Sequence, residues 1–170
     1  PMDMAKKTVS FQIFTPVAPH HIGWAVGAFR VLELPSILHA DEDEDIDELK
    51  MHQQEQALAD DTRDEIPIFV YTLPTPDIDE KTVLNSTLVC QEIMDFYSKE
   101  FGSYPFTSYS LVFLPTLTAE YMDFTSATFF NSRILYPPDV IDLIFPTTNT
   151  LAWGLAYQWS GVNITPLELN

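Results

Sequence analysis

The side chains with the most reactive chemistry in this chain are one cysteine and four histidines. Cys90 lies on an apolar stripe of helical spacing with no histidine nearby in sequence, so we expect a core thiol and not a nucleophile. His20 and His21 are adjacent, and on a strand they would point to opposite faces and could not share one ion. His39 and His52 flank an acidic run. Histidines dispersed in this way can bind metal ions nonspecifically, but they predict no specific metal site.

Serine and glycine patterns predict no familiar catalytic or nucleotide site either. Ser160 stands before Gly161 without the G-x-S-x-G turn of a serine hydrolase. The chain holds 5 glycines, and they form no Gly-rich loop of the kind that binds phosphate. The sequence therefore offers no self-evident nucleophile and no phosphate site.

One segment has the spacing of a zinc-peptidase helix without its chemistry. In the motif H-E-x-x-H, two imidazoles lie at i and i+4 on one helical face, and the glutamate between them is the general base. In LAWGLAYQW, residues 151–159, the corresponding positions hold Trp153, Gly154 and Tyr157. Neither a zinc ligand nor a base remains at these positions. The segment therefore predicts no metal, no other cofactor and no hydrolysis.

The elements that must position these residues follow from the apolar pattern. Alternation and β-branched or aromatic residues predict strands over 8–14, 21–34, 67–73, 109–114 and 124–134. Helical spacing predicts one helix over about 78–101, with a capping box from Asp77 to Glu80 and a stop at Gly102. A short helix is expected over 150–160, stopped by Gly161. Strands followed by a β-α-β-β-α order predict an α+β class.

The formal charge of −17, from 25 acidic and 8 basic residues, is concentrated in one window. Residues 41–65 hold twelve acids and two bases and so carry −10 of that charge. We interpret 40–65 as a mobile acidic loop insertion, with an acidic docking segment as the alternative. So acidic a chain is not expected to hold DNA or RNA alone, or to adhere to an anionic membrane.

Three further features bear on the compartment. A single cysteine fits a reducing compartment, the cytosol or the nucleus. No apolar run approaches the roughly 18 residues that a membrane-spanning helix needs. The first residues lack the basic-then-apolar pattern of a secretory signal. We therefore expect no membrane partner.

Several short motifs, in order from residue 67 onward, resemble the front half of the catalytic domain of M1-type zinc aminopeptidases. The matching pieces are Asp95-Phe96-Tyr97, Phe101-Gly102, Tyr104-Pro105-Phe106 and the helix segment 152–161. The exopeptidase motif of that family, G-A-M-E-N, corresponds to Glu120-Tyr121-Met122-Asp123-Phe124. Residues 22–29 resemble the last strand of the β-domain that precedes the family's catalytic domain.

This resemblance implies a division of the chain into three parts. Residues 1–39 would be the terminal strands of a β-rich N-terminal domain, 40–65 the acidic loop, and 66–170 the front half of a catalytically dead thermolysin-like domain. In the family, the motif glutamate and its neighbours hold the amino terminus of the substrate, and here only Asp123 keeps a carboxylate. We expect Trp153 and Tyr157 to fill the vacated cavity as core residues.

A second resemblance is to the aminopeptidase-like subunits of the general transcription factor TFIID, in their fungal form. It rests on residues 25–29, 132–141 and 158–164. These TBP-associated factors are pseudo-enzymes, so the resemblance implies a non-catalytic nuclear scaffold. Its work would be TFIID assembly and core-promoter recognition in transcription initiation by RNA polymerase II. The implied partners are other TFIID subunits, with promoter DNA contacted by the full subunit or complex and not by this acidic segment alone.

A different class of function stays open. The chain can also be a peptide-binding module that reuses the degenerate aminopeptidase cleft, with Asp123 holding the free amine of the peptide. An active hydrolase with unusual ligands is the least favoured interpretation, because the general base is missing as well.

Overall fold

A computed structural model describes residues 10, 12–35, 66–76 and 78–164. The strands are β1 Arg30–Glu33, β2 Ile68–Thr72, β3 Tyr109–Leu114, β4 Tyr121–Phe124 and β5 Ala127–Asn131. The α-helices are α1 Glu80–Thr87, α2 Val89–Phe101 and α3 Ile144–Tyr157. Short 3-10 turns cover Pro19–His21 and Ser132–Ile134, and a π-helix, Gln158–Asn163, continues α3.

All five strands belong to one mixed sheet in the order β1-β2-β3-β5-β4. The three central strands run parallel, and the two outer strands are antiparallel to their neighbours. Helices α1 and α2 form the connection from β2 to β3. This mixture confirms the predicted α+β class. The assignment to a thermolysin-like domain stays a prediction.

Strand β1 precedes the acidic window and β2 follows it, yet the two are direct partners. Arg30 is opposite Thr72, and Glu33 is opposite Phe69. Sequence on both sides of 40–65 therefore contributes to the same sheet. The acidic loop itself lies outside the described residues, and the division of the chain at residues 39 and 65 stays a prediction.

The core lies where β3 meets the helices. Both faces of β3 are largely buried, as expected for a central strand with parallel neighbours on each side. The most deeply buried apolar side chains of this core include Ile68, Val70, Tyr109, Leu111, Phe113, Phe130, Leu151 and Leu155. Cys90 is fully buried in the same cluster, which confirms that it is a core thiol.

The predicted helix over 78–101 is two helices that meet at Leu88. Leu88 keeps helical backbone angles (φ −55°, ψ −36°), so the interruption is a local bend. In the turn before it, the Ser86 hydroxyl donates to Thr82 O at 2.8 Å and the Thr87 hydroxyl to Val83 O at 2.7 Å. Hydroxyls that bond to the preceding turn in this way bend helices.

The ends of this helical pair differ in how well they were predicted. Gly102 terminates α2 with φ of +92°, as the sequence indicated. At the start of α1 the cap is Asp79, whose Oδ1 accepts the Thr82 N–H at 2.8 Å. Asp77, the predicted cap, lies outside the described residues.

The two strands predicted near the N-terminus are largely wrong. In the range 8–14, the described residues form no strand, and the others lie outside the described part. In the range 21–34, only Arg30–Glu33 is a strand. The reason is the length of the partner, because β2 ends at Thr72 opposite Arg30. Residues before Arg30 have no β2 residue opposite them with which to form backbone hydrogen bonds.

The prediction of a strand over 124–134 is confirmed for Ala127–Asn131 and wrong at both ends, because the chain reverses just before this strand and turns after it. Strands β4 and β5 form a hairpin whose turn contains Ser126 at φ of +54°. The predicted helix over 150–160 is longer at both ends. It starts at Ile144, where Pro146 is tolerated because first-turn N–H groups need no helical partner. It also runs past Gly161, which is packed beneath the Tyr157 ring and stops nothing.

Among the residues described above, no helix combines the length and the apolarity that crossing a membrane requires.

Candidate functional site

The structure brings the two degenerate motifs together. Helix α3 carries the Trp153, Gly154 and Tyr157 positions and lies against the β4–β5 hairpin, whose first strand carries the exopeptidase-like motif. A Cβ atom placed on Gly154 would lie 3.3 Å from Asp123 Oδ1. The spacing read from the sequence therefore corresponds to a real spatial neighbourhood.

Gly154, which the predicted motif aligns with the general base of H-E-x-x-H, is closed in by side chains of β5. A Cβ atom there would lie 2.8 Å from Phe130 Cζ and 2.9 Å from Thr128 Cγ2. Both Phe130 and Thr128 are fully buried and cannot easily move aside. A glutamate at this position has no room in the present packing.

The expectation that Trp153 and Tyr157 pack as core residues is wrong. The Trp153 side chain is 67 % exposed and Tyr157 is 41 % exposed. The buried residues of α3 are Thr147, Thr150, Leu151, Gly154 and Leu155. Positions 153 and 157 are four residues apart on the outer face of the helix, and the space at Gly154 is occupied by Phe130 and Thr128 of β5.

The remaining motif positions lie along the edge strand. Glu120 is exposed just before β4, and Met122 is 38 % exposed. Tyr121 and Asp123 are half-buried. Phe124 packs its ring directly over Gly23, where a Cβ would lie 2.3 Å from Phe124 Cγ.

Asp123 is the end of a chain of hydrogen bonds that begins in the core. The Tyr109 hydroxyl donates to Thr128 Oγ1 at 2.7 Å, and the Thr128 hydroxyl donates to Asp123 Oδ1 at 2.8 Å. Burial raises the pKa of Asp123 to about 6, and the hydrogen bond from Thr128 opposes that rise. Burial likewise raises the pKa of Tyr109 well above its usual value. The carboxyl group of Asp123 thus already has an internal partner.

Gln158 fastens the hairpin to the end of α3. Its side-chain NH₂ donates to Phe124 O at 3.0 Å, and its Oε1 accepts the Ser126 N–H at 3.0 Å. The amide is fully buried, so these two bonds are also what make its burial tolerable. They hold both sides of the turn in which Ser126 adopts its left-handed backbone.

The loop before β1 docks on the same turn. The Thr125 N–H donates to His21 O at 2.8 Å. The His21 ring is buried and makes an edge contact with Tyr157, with ring centroids 6.3 Å apart. Burial, with the nearby His20, lowers the pKa of His21. The loop thereby connects the N-terminal part of the described chain to α3.

Trp159 contacts three of the motifs quoted above, through Gly102, Tyr97 and Tyr104. Its indole N–H donates to Gly102 O at 3.0 Å. Its ring lies 5.2 Å from that of Tyr104 and 5.9 Å from that of Tyr97, measured between centroids. Residues separated by more than a whole helix and strand thus form one aromatic cluster. This shared packing gives a physical reason for the order and spacing of these motifs.

The other candidate groups do not form a reactive site. Burial raises the pKa of the Cys90 thiol to about 12, which keeps it protonated. The Ser160 hydroxyl is exposed and donates to Ala156 O at 3.1 Å. His39 and His52 lie outside the described residues. Within the described ranges, no three His, Cys, Asp or Glu side chains are close enough together to hold a metal ion.

Sequence reasoning missed Thr128 and Phe130. Both lie in the range predicted as a strand, but their apolar and β-branched character is ordinary for any strand. Only the register of β5 against β3 and the approach of α3 show that they occupy the space at Gly154.

Comparison with known proteins gives one consistent result. No family model matches the chain. Transcription initiation factor TFIID subunit 2 of Saccharomyces cerevisiae is 54 % identical over 178 aligned residues, which cover 100 % of this chain. Along its whole length, the chain is similar to TFIID subunit 2. The protein of the same name from Schizosaccharomyces pombe is 35 % identical over 166 residues, or 98 % of the chain.

The chain spans 13 % of the length of each of these two relatives. Their similarity confirms the predicted resemblance to a fungal TFIID subunit. Both are named as subunits of a transcription factor and neither is named as an enzyme. The relation to zinc aminopeptidases stays a prediction.

Substituting Gly154 tests the closed base position. We expect Gly154→Ala to lower the free energy of unfolding by about 1–3 kcal/mol, because the added methyl group overlaps Phe130 and Thr128. Asn149→Ala, on the exposed face of the same helix, is the matched control and should change it by less than about 0.5 kcal/mol. Urea unfolding followed by circular dichroism measures both. Equal stability of Gly154→Ala and the native chain would contradict the packing described here.

The raised pKa of Asp123 predicts a pH dependence of stability. The folded state binds this proton more tightly than the unfolded state, so the contribution favours folding at low pH. It is lost as the pH rises from about 4, the ordinary range for aspartate, through about 6. We expect the native chain to lose stability across this window relative to Asp123→Asn, whose amide oxygen still accepts from Thr128.

Asn149→Ala is again the control for this measurement, because Asn149 is exposed on α3 and carries no titratable group. It should keep the slope of the native chain. Denaturant unfolding at a series of pH values gives the comparison. If Asp123→Asn and the native chain follow parallel curves, the Asp123 carboxyl group is not held in its neutral form.

Proposed function

We propose that the chain is a non-catalytic scaffold segment of a nuclear TFIID subunit. In this proposal it supports assembly of the complex and core-promoter recognition during transcription initiation by RNA polymerase II. The observation that carries the proposal is the 54 % identity to the Saccharomyces cerevisiae subunit over the whole chain. The partners are other TFIID subunits.

The geometry around α3 supports a structural role. The base position is a glycine packed against Phe130 and Thr128, and the flanking ligand positions are aromatic and largely exposed. Residues that would do chemistry in a zinc peptidase here contribute packing and surface. The relation to M1 aminopeptidases is accordingly proposed as one of shared scaffold without shared activity.

Promoter contact is assigned to other parts of the subunit or to its partners. The chain carries a net charge of −17, and DNA binding draws most of its affinity from lysine and arginine at phosphates. The alternative of an amine-binding cleft has less support, because Asp123 is half-buried and already accepts the Thr128 hydrogen bond.

Exchange of segments tests the proposal. In Saccharomyces cerevisiae TFIID subunit 2, the matching stretch is replaced by this chain, and the tagged chimera is purified from cells. We expect it to copurify with the other TFIID subunits in the same proportion as the unmodified subunit, because the surfaces that make complex contacts are shared. A subunit with the stretch replaced by a flexible linker is the control and should be depleted from the complex. A chimera that is intact by limited proteolysis but absent from TFIID would refute the assignment.

The proposed lack of zinc and of peptidase activity is tested by a separate measurement. We expect the purified intact protein to contain no stoichiometric zinc by elemental analysis and to release no amino acid from dipeptide reporters, because the motif retains no ligand and no base. An active M1-type aminopeptidase assayed in parallel is the positive control. Zinc at one ion per chain, or turnover that a chelator abolishes, would contradict the proposal.

A further inference from the structure

A notch of about 330 Å³ opens between α3 and the start of β4. Five residues line it: Glu120, Tyr121, Asn149, Thr150 and Trp153. We call it the α3–β4 notch. It combines one carboxylate, two aromatic rings, an amide and a hydroxyl, and no basic side chain is among these lining residues.

The carboxylate of Glu120 in the notch receives only a weak hydrogen bond from Thr150. The Thr150 hydroxyl approaches Glu120 Oε1 at 3.3 Å, but it lies closer, at 2.9 Å, to Pro146 O of its own helix. A hydroxyl has one hydrogen, so the shorter contact takes most of it. Glu120 is exposed and has acceptor capacity left for an incoming donor.

The aromatic part of the notch is equally open. The Trp153 side chain is 67 % exposed, so its indole ring is accessible beside Glu120. The pKa of Tyr121 is raised by burial and, next, by the negative charges of Asp123 and Glu120. Negative potential from two carboxylates therefore reaches the wall of the notch opposite to the helix.

We propose that the α3–β4 notch binds a basic side chain, an alkylammonium or guanidinium group, presented by a protein partner. Glu120 forms the ion pair, and Trp153 stacks on the cation or its aliphatic stem. Indole is the strongest aromatic partner for a cation, and the shared chemistry of lysine, methylated lysine and arginine fits both elements. Outside residues 41–65 the chain still carries a net charge of −7, which complements a basic partner segment. This goes beyond the scaffold role, which names no contact.

The expected affinity of one side chain is low. An exposed ion pair and an exposed cation–π contact each strengthen binding by no more than about fivefold. Isolated cations should therefore bind in the millimolar range or weaker, and the notch would act as one anchor among several in a larger interface. The test must consequently use high ligand concentrations.

The test is a ¹⁹F NMR titration of the intact protein labelled with fluorotryptophan. The chain has 3 tryptophans, and the Trp153 signal is assigned from its loss in Trp153→Leu. The probes are the N-acetyl, C-methylamide forms of lysine, trimethyllysine, arginine and norleucine, the last being the neutral isostere. We expect the Trp153 signal to shift with the three cations and not with norleucine, while the signal of the buried Trp159 stays in place.

The variants decide whether Glu120 is responsible. We expect Glu120→Gln to weaken binding of the cations about fivefold, the loss of roughly 1 kcal/mol. Glu92→Gln, an exposed glutamate on α2, is the matched control and should leave binding unchanged. The order of the three cations identifies the source, since arginine gains from a bidentate pair with Glu120 and trimethyllysine from the rings.

Three results would overturn the proposal. An equal shift with norleucine would show an apolar contact in place of a cation site. No shift with any cation at tens of millimolar would show that the notch binds none of them. Equal binding by Glu120→Gln and Glu92→Gln would place the cation elsewhere. The Trp159 signal reports in every variant that the fold is intact.

Discussion

Close contact between α3 and the β4–β5 hairpin is the constraint on which this part of the molecule depends. It requires a residue without a side chain at Gly154, because Phe130 and Thr128 occupy the space that a Cβ would need. It is fixed from the other end by Gln158, whose buried amide donates to one side of the hairpin turn and accepts from the other. A buried amide is tolerated only when its hydrogen bonds are made, so the helix and the turn specify each other's position.

The aromatic cluster around Trp159 extends this constraint to the rest of the core. Its indole bonds the end of α2 through Gly102 and packs against Tyr97 and Tyr104. The end of one helix, the turn after it and the end of α3 are thus held by a single side chain. Aromatic rings in edge contact favour one relative orientation, in addition to the stability that they contribute by burying apolar area.

These contacts give physical roles to the residues that the sequence aligns with the zinc-peptidase and exopeptidase motifs. Gly154 allows helix and sheet to come close together, and Asp123 ends a hydrogen-bond chain from Tyr109. Trp153 is on the outer surface beside Glu120. On its inner side α3 is packed against Phe130 and Thr128 at Gly154, and on its outer side Trp153 is exposed.

The sequence by itself determined the features that local chemistry controls. The apolar runs that became β2 and β3, the stop of α2 at Gly102 and the buried Cys90 follow from residue type and spacing. The absence of ligands at Trp153, Gly154 and Tyr157 can be read from the letters alone. Only the tertiary structure decided that Trp153 faces outward, that Ser126 reverses the chain and that β1 is limited to four residues. Periodicity defines the faces of a helix or strand, but which face is covered depends on partners distant in sequence.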